Sequence, residues 1–417
     1  ARQPRSPTWK STKDTPRVQH ETITSAAALE DFCVALRSAN AIAFDTEFVS
    51  EDTFRPQLCL IQVAISDRLA IIDPLEIEDV SPFWKALTEG QHITVAHAAR
   101  EEFLFCWRSM EQRPSKLLDT QIAAGLIGME YPASYSGLLS KLLGVQLSKG
   151  ETRTDWRRRP LSPRQLDYAR HDVLHLQDLA DRLQERLTQL GRASWLTSEM
   201  ESWQTRLEEF EQGEQWHRVS GSANLRPRSL AIVRALWRWR RGEAEQRNQP
   251  AKRILRDDLI VELARQQTAD LQRIRAVRGM NFRGAQKHQQ AIAQSIQQAL
   301  DIPDSECPKR PSRRSSRSHL TLLTQFLSTA LGSICRQSQV APSLVGTSQD
   351  IQDLVKFHLD SKRASAELPA LATGWRAEIV GQAINDLLTG KYALRIKDPH
   401  SDHPLVLETT SGNTSTG

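Results

Sequence analysis

Ala41-Ile42-Ala43-Phe44-Asp45-Thr46-Glu47-Phe48-Val49 is the stretch on which the fold turns, an apolar strand interrupted by two acids at alternate positions. Residues i and i+2 of a strand point to the same face, so Asp45 and Glu47 present their carboxylates together. Two like charges held side by side repel unless a cation lies between them. Hard divalent ions such as magnesium or manganese take carboxylate oxygens and keep positions open for water and phosphate. A strand end whose acids merely face solvent would explain an isolated Asp-x-Glu equally well, so the rest of the chain has to decide.

Further along, Leu161-Ser162-Pro163-Arg164-Gln165 opens a helix, with Ser162 as N-cap, Pro163 at the first helical position and Gln165 three residues after the cap. The apolar stripe runs Leu166, Ala169, Val173, Leu176, Ala180, Leu183, and Tyr168 and Asp172, four apart, stand one above the other along its edge. An acid at that edge is partly buried and needs a partner, either Arg170 or another surface arginine, or a metal ion. A strand Asp-x-Glu, a further acid in the middle segment and a helical Tyr-x-x-x-Asp are together the parts of a two-metal phosphodiester hydrolase: carboxylates hold the ions and a phenol orients the attacking water.

The middle segment is His92-Ile93-Thr94-Val95-Ala96-His97-Ala98-Ala99-Arg100-Glu101-Glu102-Phe103-Leu104-Phe105-Cys106, a strand passing into a helix near residue 99. In this order and spacing the three segments resemble the exonuclease motifs of the DEDD superfamily, Tyr-containing branch, and most closely those of the ribonuclease D family. Leu118-Asp119-Thr120-Gln121-Ile122-Ala123-Ala124, Gly137-Leu138-Leu139 leading to Lys149, and Thr154-Asp155-Trp156-Arg157-Arg158-Arg159-Pro160-Leu161 match the same pattern. The resemblance implies a ribonuclease H-like mixed sheet and 3′→5′ hydrolysis of single-stranded RNA to nucleoside 5′-monophosphates, with a tRNA precursor as the expected substrate. It also implies that Asp45, Glu47, Glu102 and Asp172 hold two divalent cations, Mg²⁺ or Mn²⁺, about 4 Å apart. Tyr168 then positions the water, and Thr46 and Phe48 line the cleft at the terminal nucleotide. One departure stands out. Glu102 occupies the position where the family carries a metal-associated Asp, and its extra methylene moves the carboxylate by about a bond length in a site that tolerates about 0.5 Å.

Composition fits several domains. A chain of 417 residues exceeds what one core usually organises, and 39% hydrophobic residues supply real cores. No apolar run approaches the roughly 18 residues of a membrane span, and no signal-peptide pattern is expected ahead of the first domain, so a cytoplasmic protein, expected to be a monomer, follows. Cys33, Cys59, Cys106, Cys307 and Cys335 are odd in number and lack Cys-x-x-Cys spacing, which reads as reduced thiols. His171 and His175, four apart, could share an ion but have no third ligand in view, and read as polar helix positions.

The net charge of +5 is unevenly spread. Arg157-Arg158-Arg159 precedes the Tyr-bearing helix, where Arg158 is placed to meet phosphate. Residues 1–20 read as a basic, disordered lead-in. The exonuclease domain is expected over 21–197, with strands at 41–49, 57–65, 69–73 and 93–98 and helices near 26–38, 80–89, 100–110, 116–127, 135–143 and 162–190. A helical linker, 198–225, leads to 226–300, whose Leu230, Val233, Leu236 and Trp237 stripe and Val277-Arg278-Gly279 turn resemble the helicase-and-RNase-D C-terminal (HRDC) domain. There Trp237 and Trp239 read as core, and Arg273, Arg275, Arg278, Arg283 and Lys287 are the candidate nucleic-acid contacts. A basic Pro/Ser linker, 301–318, joins a second HRDC-like helical domain, 319–398, marked by Gly374-Trp375-Arg376 and Leu387-Leu388-Thr389-Gly390. Residues 399–417 are expected to be a loose tail.

Two other functions remain open from sequence. A DNA 3′→5′ exonuclease of the same superfamily would use the same carboxylates, and a nucleic-acid-binding protein could have lost catalysis through Glu102.

Overall fold

The computed structural model describes residues 20–66, 68–147, 154–280, 286–309, 318–359 and 368–410. Most of the expected lead-in, the centre of the Pro/Ser linker and Arg283 lie outside them. The chain begins with β1 (His20–Ile23), α1 (Ala26–Ser38), β2 (Ala41–Val49), β3 (Gln57–Ile65), β4 (Arg68–Ile72), α2 (Ser81–Glu89), β5 (Ile93–Ala96), α3 (Arg100–Met110), β6 (Leu118–Asp119), α4 (Thr120–Leu126) and α5 (Tyr135–Leu138). Then follow α6 (Pro163–Leu174), α7 (Leu176–Gln189) and α8 (Ala193–Gln212). The strands form one sheet in the order β1-β4-β3-β2-β5-β6, antiparallel for β4-β3-β2 and parallel at both flanks. This is the mixed α/β sheet expected from the sequence. The edge strands β1 and β6, of four and two residues, are too short to show a period and were not foreseen.

Alternation along β2 sets the two faces. Phe44 points into a core with Ile61, Val63, Ile72, Phe83 and Phe103. On the opposite face Leu60, Leu69 and Ile71 pack against Ala169 and Val173 of α6. Since Asp45 pairs with Gln62 and Glu47 with Leu60, the two acids belong to the α6 side. The helix expected over 162–190 is broken at His175 (φ −112°, ψ 11°). The break has a packing reason: α6 covers the acid-bearing face, whereas Leu176, Leu179, Leu183 and Leu187 of α7 turn into the larger core.

Beyond α8, helices α9 (Pro227–Gln246), α10 (Ala251–Ile254), α11 (Asp257–Gln266), α12 (Leu271–Ala276) and a helix at Gln289–Asp301 enclose a separate core built on Leu230, Leu236, Leu259, Ile274 and Ile296. Trp237 and Trp239 both pack against it, and His288 meets the Trp239 ring edge-on at 5.4 Å. This unit touches the nuclease domain through polar contacts at the β2–β3 loop. Arg253 Nη2 donates to Asp52 at 2.8 Å, Arg55 Nη2 to Glu245 at 3.0 Å, and the Phe54 amide to Asn248 Oδ1 at 3.2 Å.

The C-terminal helical unit behaves differently, because it shares the nuclease core through residues such as Leu331, Leu344 and Trp375. The Gly374-Trp375-Arg376 element explains part of the join: Trp375 Nε1 and Arg376 Nη1 both donate to the buried Glu199 of α8, at 3.1 and 2.5 Å. Burial pushes the Glu199 carboxyl up, but Arg376 and Arg206 outweigh it and hold the group below its ordinary range. Arg192 donates to the carbonyls of Leu126 and Gln339 at 2.7 and 2.6 Å, clamping both units. Gly128 (φ +88°) lies where a Cβ would come within 2.9 Å of the Gln339 carbonyl carbon, so only glycine allows this approach.

One expectation fails at the end of the chain. Residues 405–409 are not a loose tail but a strand, β8 (Leu405–Thr409), paired antiparallel with β7 (Tyr392–Ile396). Leu405 and Leu407 face the same side as partners Ile396 and Leu394, an alternation hidden by the polar residues on both flanks of 405–409.

Candidate active site

The four acids come from three elements: Asp45 and Glu47 from β2, Glu102 from the first turn of α3 and Asp172 from the last turn of α6. Helix α6 starts as the sequence requires. Ser162 Oγ accepts from the Gln165 amide at 3.2 Å, and Gln165 Oε1 accepts from the Ser162 amide at 2.9 Å. Trp156, 4% exposed, meets the Tyr168 ring at 6.1 Å and supports it from the preceding loop.

Electrostatics tie the acids together. Burial, then the neighbouring Asp172, push Asp45 well above the usual carboxylate range. Burial, followed by Asp45, Asp172 and Glu102, raises Glu47 to about 9. Glu102 is raised by burial and by Asp45, and Asp172 by burial, with Tyr168 pulling Asp172 partly back. Glu47 thus feels the other three acids, Asp45 feels Asp172 and Glu102 feels Asp45, a clustering of like charge that a shared cation relieves. Tyr168 is raised by burial and by Asp172, so its phenol stays protonated at neutral pH and acts as a hydrogen-bond donor.

Arg170 pairs with Asp167 at 2.8 Å and not with Asp172, whose Oδ2 is buried with no hydrogen-bond partner. Arg170, one of the partners open to Asp172 from sequence, is thereby committed elsewhere. The donor set is what a divalent ion needs, four carboxylates with hard oxygens and one of those oxygens orphaned. Among the described residues no three His, Cys, Asp or Glu side chains close on a common point. His171 and His175 turn to different partners, the Asp167 carbonyl at 2.6 Å and Asp178 at 3.8 Å, as expected of polar helix positions.

Two devices position Glu102. Thr46 Oγ1 donates to Glu102 Oε1 at 2.6 Å, which leaves the Thr46 backbone for the cleft-lining contact expected of it. The second is Asp119, to which the sequence reading gave no role. Its carboxylate accepts from the amides of Ala98 (3.1 Å), Ala99 (2.9 Å) and Gln121 (2.7 Å). Ala98 sits at φ +56°, a conformation that costs a non-glycine residue about 1–2 kcal/mol, and Asp119 holds it there at the entry to α3. An acid two residues into a Leu-Asp-Thr-Gln helix start is an N-cap signal, and it was available in the sequence.

His97 is fixed nearby. Its Nε2 faces the Ala133 carbonyl at 3.1 Å, which requires a proton there, leaving Nδ1 to accept from Thr120 Oγ1 at 2.9 Å. Burial keeps the ring neutral. The Tyr135 ring lies 5.5 Å from it, and the Tyr135 hydroxyl is buried without a partner while feeling the charge of Asp172.

Phe48 is half-buried, edge-on to Phe105 of α3 at 5.8 Å. Among the three consecutive arginines, Arg159 is consumed by Asp73 and by the carbonyls of Trp156 and Cys59, and Arg157 pairs with Asp155 and Asp52. Arg158 is the exposed member. Arg273, Arg275, Arg278 and Lys287 are exposed on the first helical unit, away from the four acids in sequence and element.

Residues 20–188 match the family model described as 3′-5′ exonuclease, and residues 229–296 match the HRDC domain. A curated ribonuclease D from Granulibacter bethesdensis is 32% identical over 383 residues, covering 90% of this chain and 94% of the relative. The chain belongs to the ribonuclease D family. A second family member, from Zymomonas mobilis, is 33% identical over 91% of this chain and 96% of its own length. The crystal structure of Escherichia coli RNase D, described as an exoribonuclease involved in structured RNA processing, superposes with a TM-score of 0.78 at 27% identity, covering 89% of this chain and 99% of that one. The fold is thus that of ribonuclease D, a mixed-sheet nuclease domain followed by a helical HRDC region.

Proposed function

We propose that this 3′–5′ exoribonuclease of the ribonuclease D family hydrolyses RNA from its 3′ end at the four-acid cluster, with Asp45, Glu47, Glu102 and Asp172 holding two divalent cations, Mg²⁺ or Mn²⁺. The observation that carries the reading is that carboxylates of β2, α3 and α6 lie near enough to act on one another: beside burial, Asp172 raises Asp45, the other three raise Glu47, and Asp45 raises Glu102. When bound, such cations activate water and stabilise the leaving 3′ oxygen. The chain's own groups do the rest. Tyr168, protonated, donates a hydrogen bond that orients the water. Thr46 holds Glu102 with its hydroxyl and faces the terminal nucleotide with its backbone, and the Phe48 ring packs at the same end of β2. Arg158, exposed before α6, meets the phosphates of the incoming strand, and Arg278 extends that contact on the HRDC unit.

A structured RNA such as a tRNA precursor, with a frayed single-stranded 3′ end, suits this division between a cleft for the end and helical modules for the body. No helix among the described residues is long and apolar enough to cross a membrane, and Cys33, Cys59, Cys106, Cys307 and Cys335 are buried free thiols. The free thiols agree with the reducing conditions of a cytoplasm. The test is degradation of matched RNA and DNA oligonucleotides with Mg²⁺ or Mn²⁺. RNA-selective release of nucleoside 5′-monophosphates is expected, and Asp45→Asn abolishes it while sparing RNA binding. Unchanged turnover in that variant would remove the active site described here.

A further inference from the structure

At the seam between the nuclease domain and the first helical unit lies a cavity of about 220 Å³. Three rings line it, Phe54 from the β2–β3 loop, Phe210 from α8 and Trp237 from α9, together with Arg55, Arg108 and Arg241. The rings are half-buried, and Arg55 lies 5.8 Å from the Phe54 centroid. Arg241 lies 5.4 Å from the Trp237 centroid, and Arg218 and Arg100 lie 4.8 and 5.7 Å from that of Phe210.

The acids of the seam are already matched. Glu211 is held by Arg108 Nε and Nη2 at 2.8 and 3.0 Å, and Glu245 by Arg55. Arg108 Nη1, by contrast, is buried without a hydrogen-bond partner. A surplus of guanidinium beside aromatic faces is the chemistry that single-stranded nucleic acid meets: phosphate for the charge, a base for the ring. Position supports it. The loop carrying Phe54 leaves the end of β2 next to Glu47, and Arg100, which reaches Phe210, is two residues before Glu102 on α3. Arg108 follows Glu102 by six residues, about 9 Å along the helix.

We propose that this seam is a subsite for one unstacked nucleotide of single-stranded RNA, its base stacked against Phe54 and Trp237 and its phosphate met by Arg241, upstream of the end being hydrolysed. The subsite rests on the exoribonuclease reading and adds to it where the strand runs, across the joint between the two domains. Because the joint is made of exposed ion pairs and one loop amide, an RNA strand laid across it would also bridge the two units.

The test uses the full chain in EDTA, so that binding is read without cleavage, with a fluorescein-labelled oligoadenylate followed by anisotropy. Phe54→Ala weakens binding about tenfold or more, the effect of losing one stacking ring, and Phe54→Trp restores it. Arg241→Gln lowers the slope of log affinity against log salt by about 0.7, the signature of one lost phosphate on a single strand. Parental affinity in Phe54→Ala together with an unchanged salt slope in Arg241→Gln overturns the subsite. So does an equal loss in Phe54→Ala and Phe54→Trp, which marks a packing role. If these variants bind as the parent does while the parent still degrades the oligoadenylate in Mg²⁺, only the subsite fails. A parent that neither binds nor degrades it removes the exoribonuclease reading as well.

Discussion

Replacing Thr46 by valine isolates the contact that accommodates glutamate at position 102. Valine keeps the shape and the β-branched fit of β2 and deletes only the hydroxyl, so the 2.6 Å bond to Glu102 Oε1 is lost while the strand is preserved. A hydrogen bond to a charged group contributes about 1.5–3 kcal/mol. At about 1.36 kcal/mol per decade of rate, that corresponds to a fall of roughly 10- to 150-fold if the bond is fully expressed in the transition state. Thr46 also lowers the Glu102 pKa against its burial, so the valine variant ionises Glu102 less readily and should require more metal. The assay is steady-state release of nucleoside monophosphate from an RNA oligonucleotide across a Mg²⁺ titration, with thermal melting as a folding control. Thr46→Val is expected to lose activity in that range and to shift the Mg²⁺ midpoint upward, and Thr46→Ser to recover most of both. A valine variant with the parent's kcat and the parent's Mg²⁺ midpoint would show that the hydroxyl does not hold a working metal-binding group.

Other outcomes follow from the same geometry. Glu102→Gln lowers turnover at least about tenfold, since it removes an anionic ligand, whereas Glu102→Asp keeps it; equal rates for Gln and Glu would place this side chain outside the metal shell. Asp119→Ala releases three amides, that of Ala99 buried, and the strained Ala98, and melting should report a loss of about 2–3 kcal/mol, with activity falling as the start of α3 loosens; an unchanged melting temperature would refute the clamp. Metal-free stability should fall with rising pH. The four acids hold their protons more tightly folded than unfolded, so their stabilising contribution is complete below about pH 4 and is lost as pH climbs through their raised values, Asp172 at about 7 and Glu47 at about 9. Melting in EDTA across that window, against the Asp45→Asn/Glu47→Gln variant, checks the sign: the variant's profile should be flatter, and parallel profiles would mean the cluster carries no such linkage.

Short-range signals carried much of the candidate site. The alternation of β2, the capping box of Ser162 and Gln165 and the four-residue spacing of Tyr168 and Asp172 are each written within a dozen neighbouring residues, and each forms as read. The same holds for the apolar stripes that make the helices, because burial of one face is a property of the periodicity itself. What no local pattern could contain is which partners meet across long stretches of chain. Thr46 finds Glu102 across 56 residues, Arg159 finds Asp73 across 86, and Arg376 finds Glu199 across 177. Packing on two different cores broke the helix at His175, and those pairings left Arg158 as the exposed arginine of its run and joined the C-terminal unit to the nuclease core. They depend on which buried charge each desolvated side chain can reach once the sheet and helices have packed, and that is a property of the assembled interior, not of any segment.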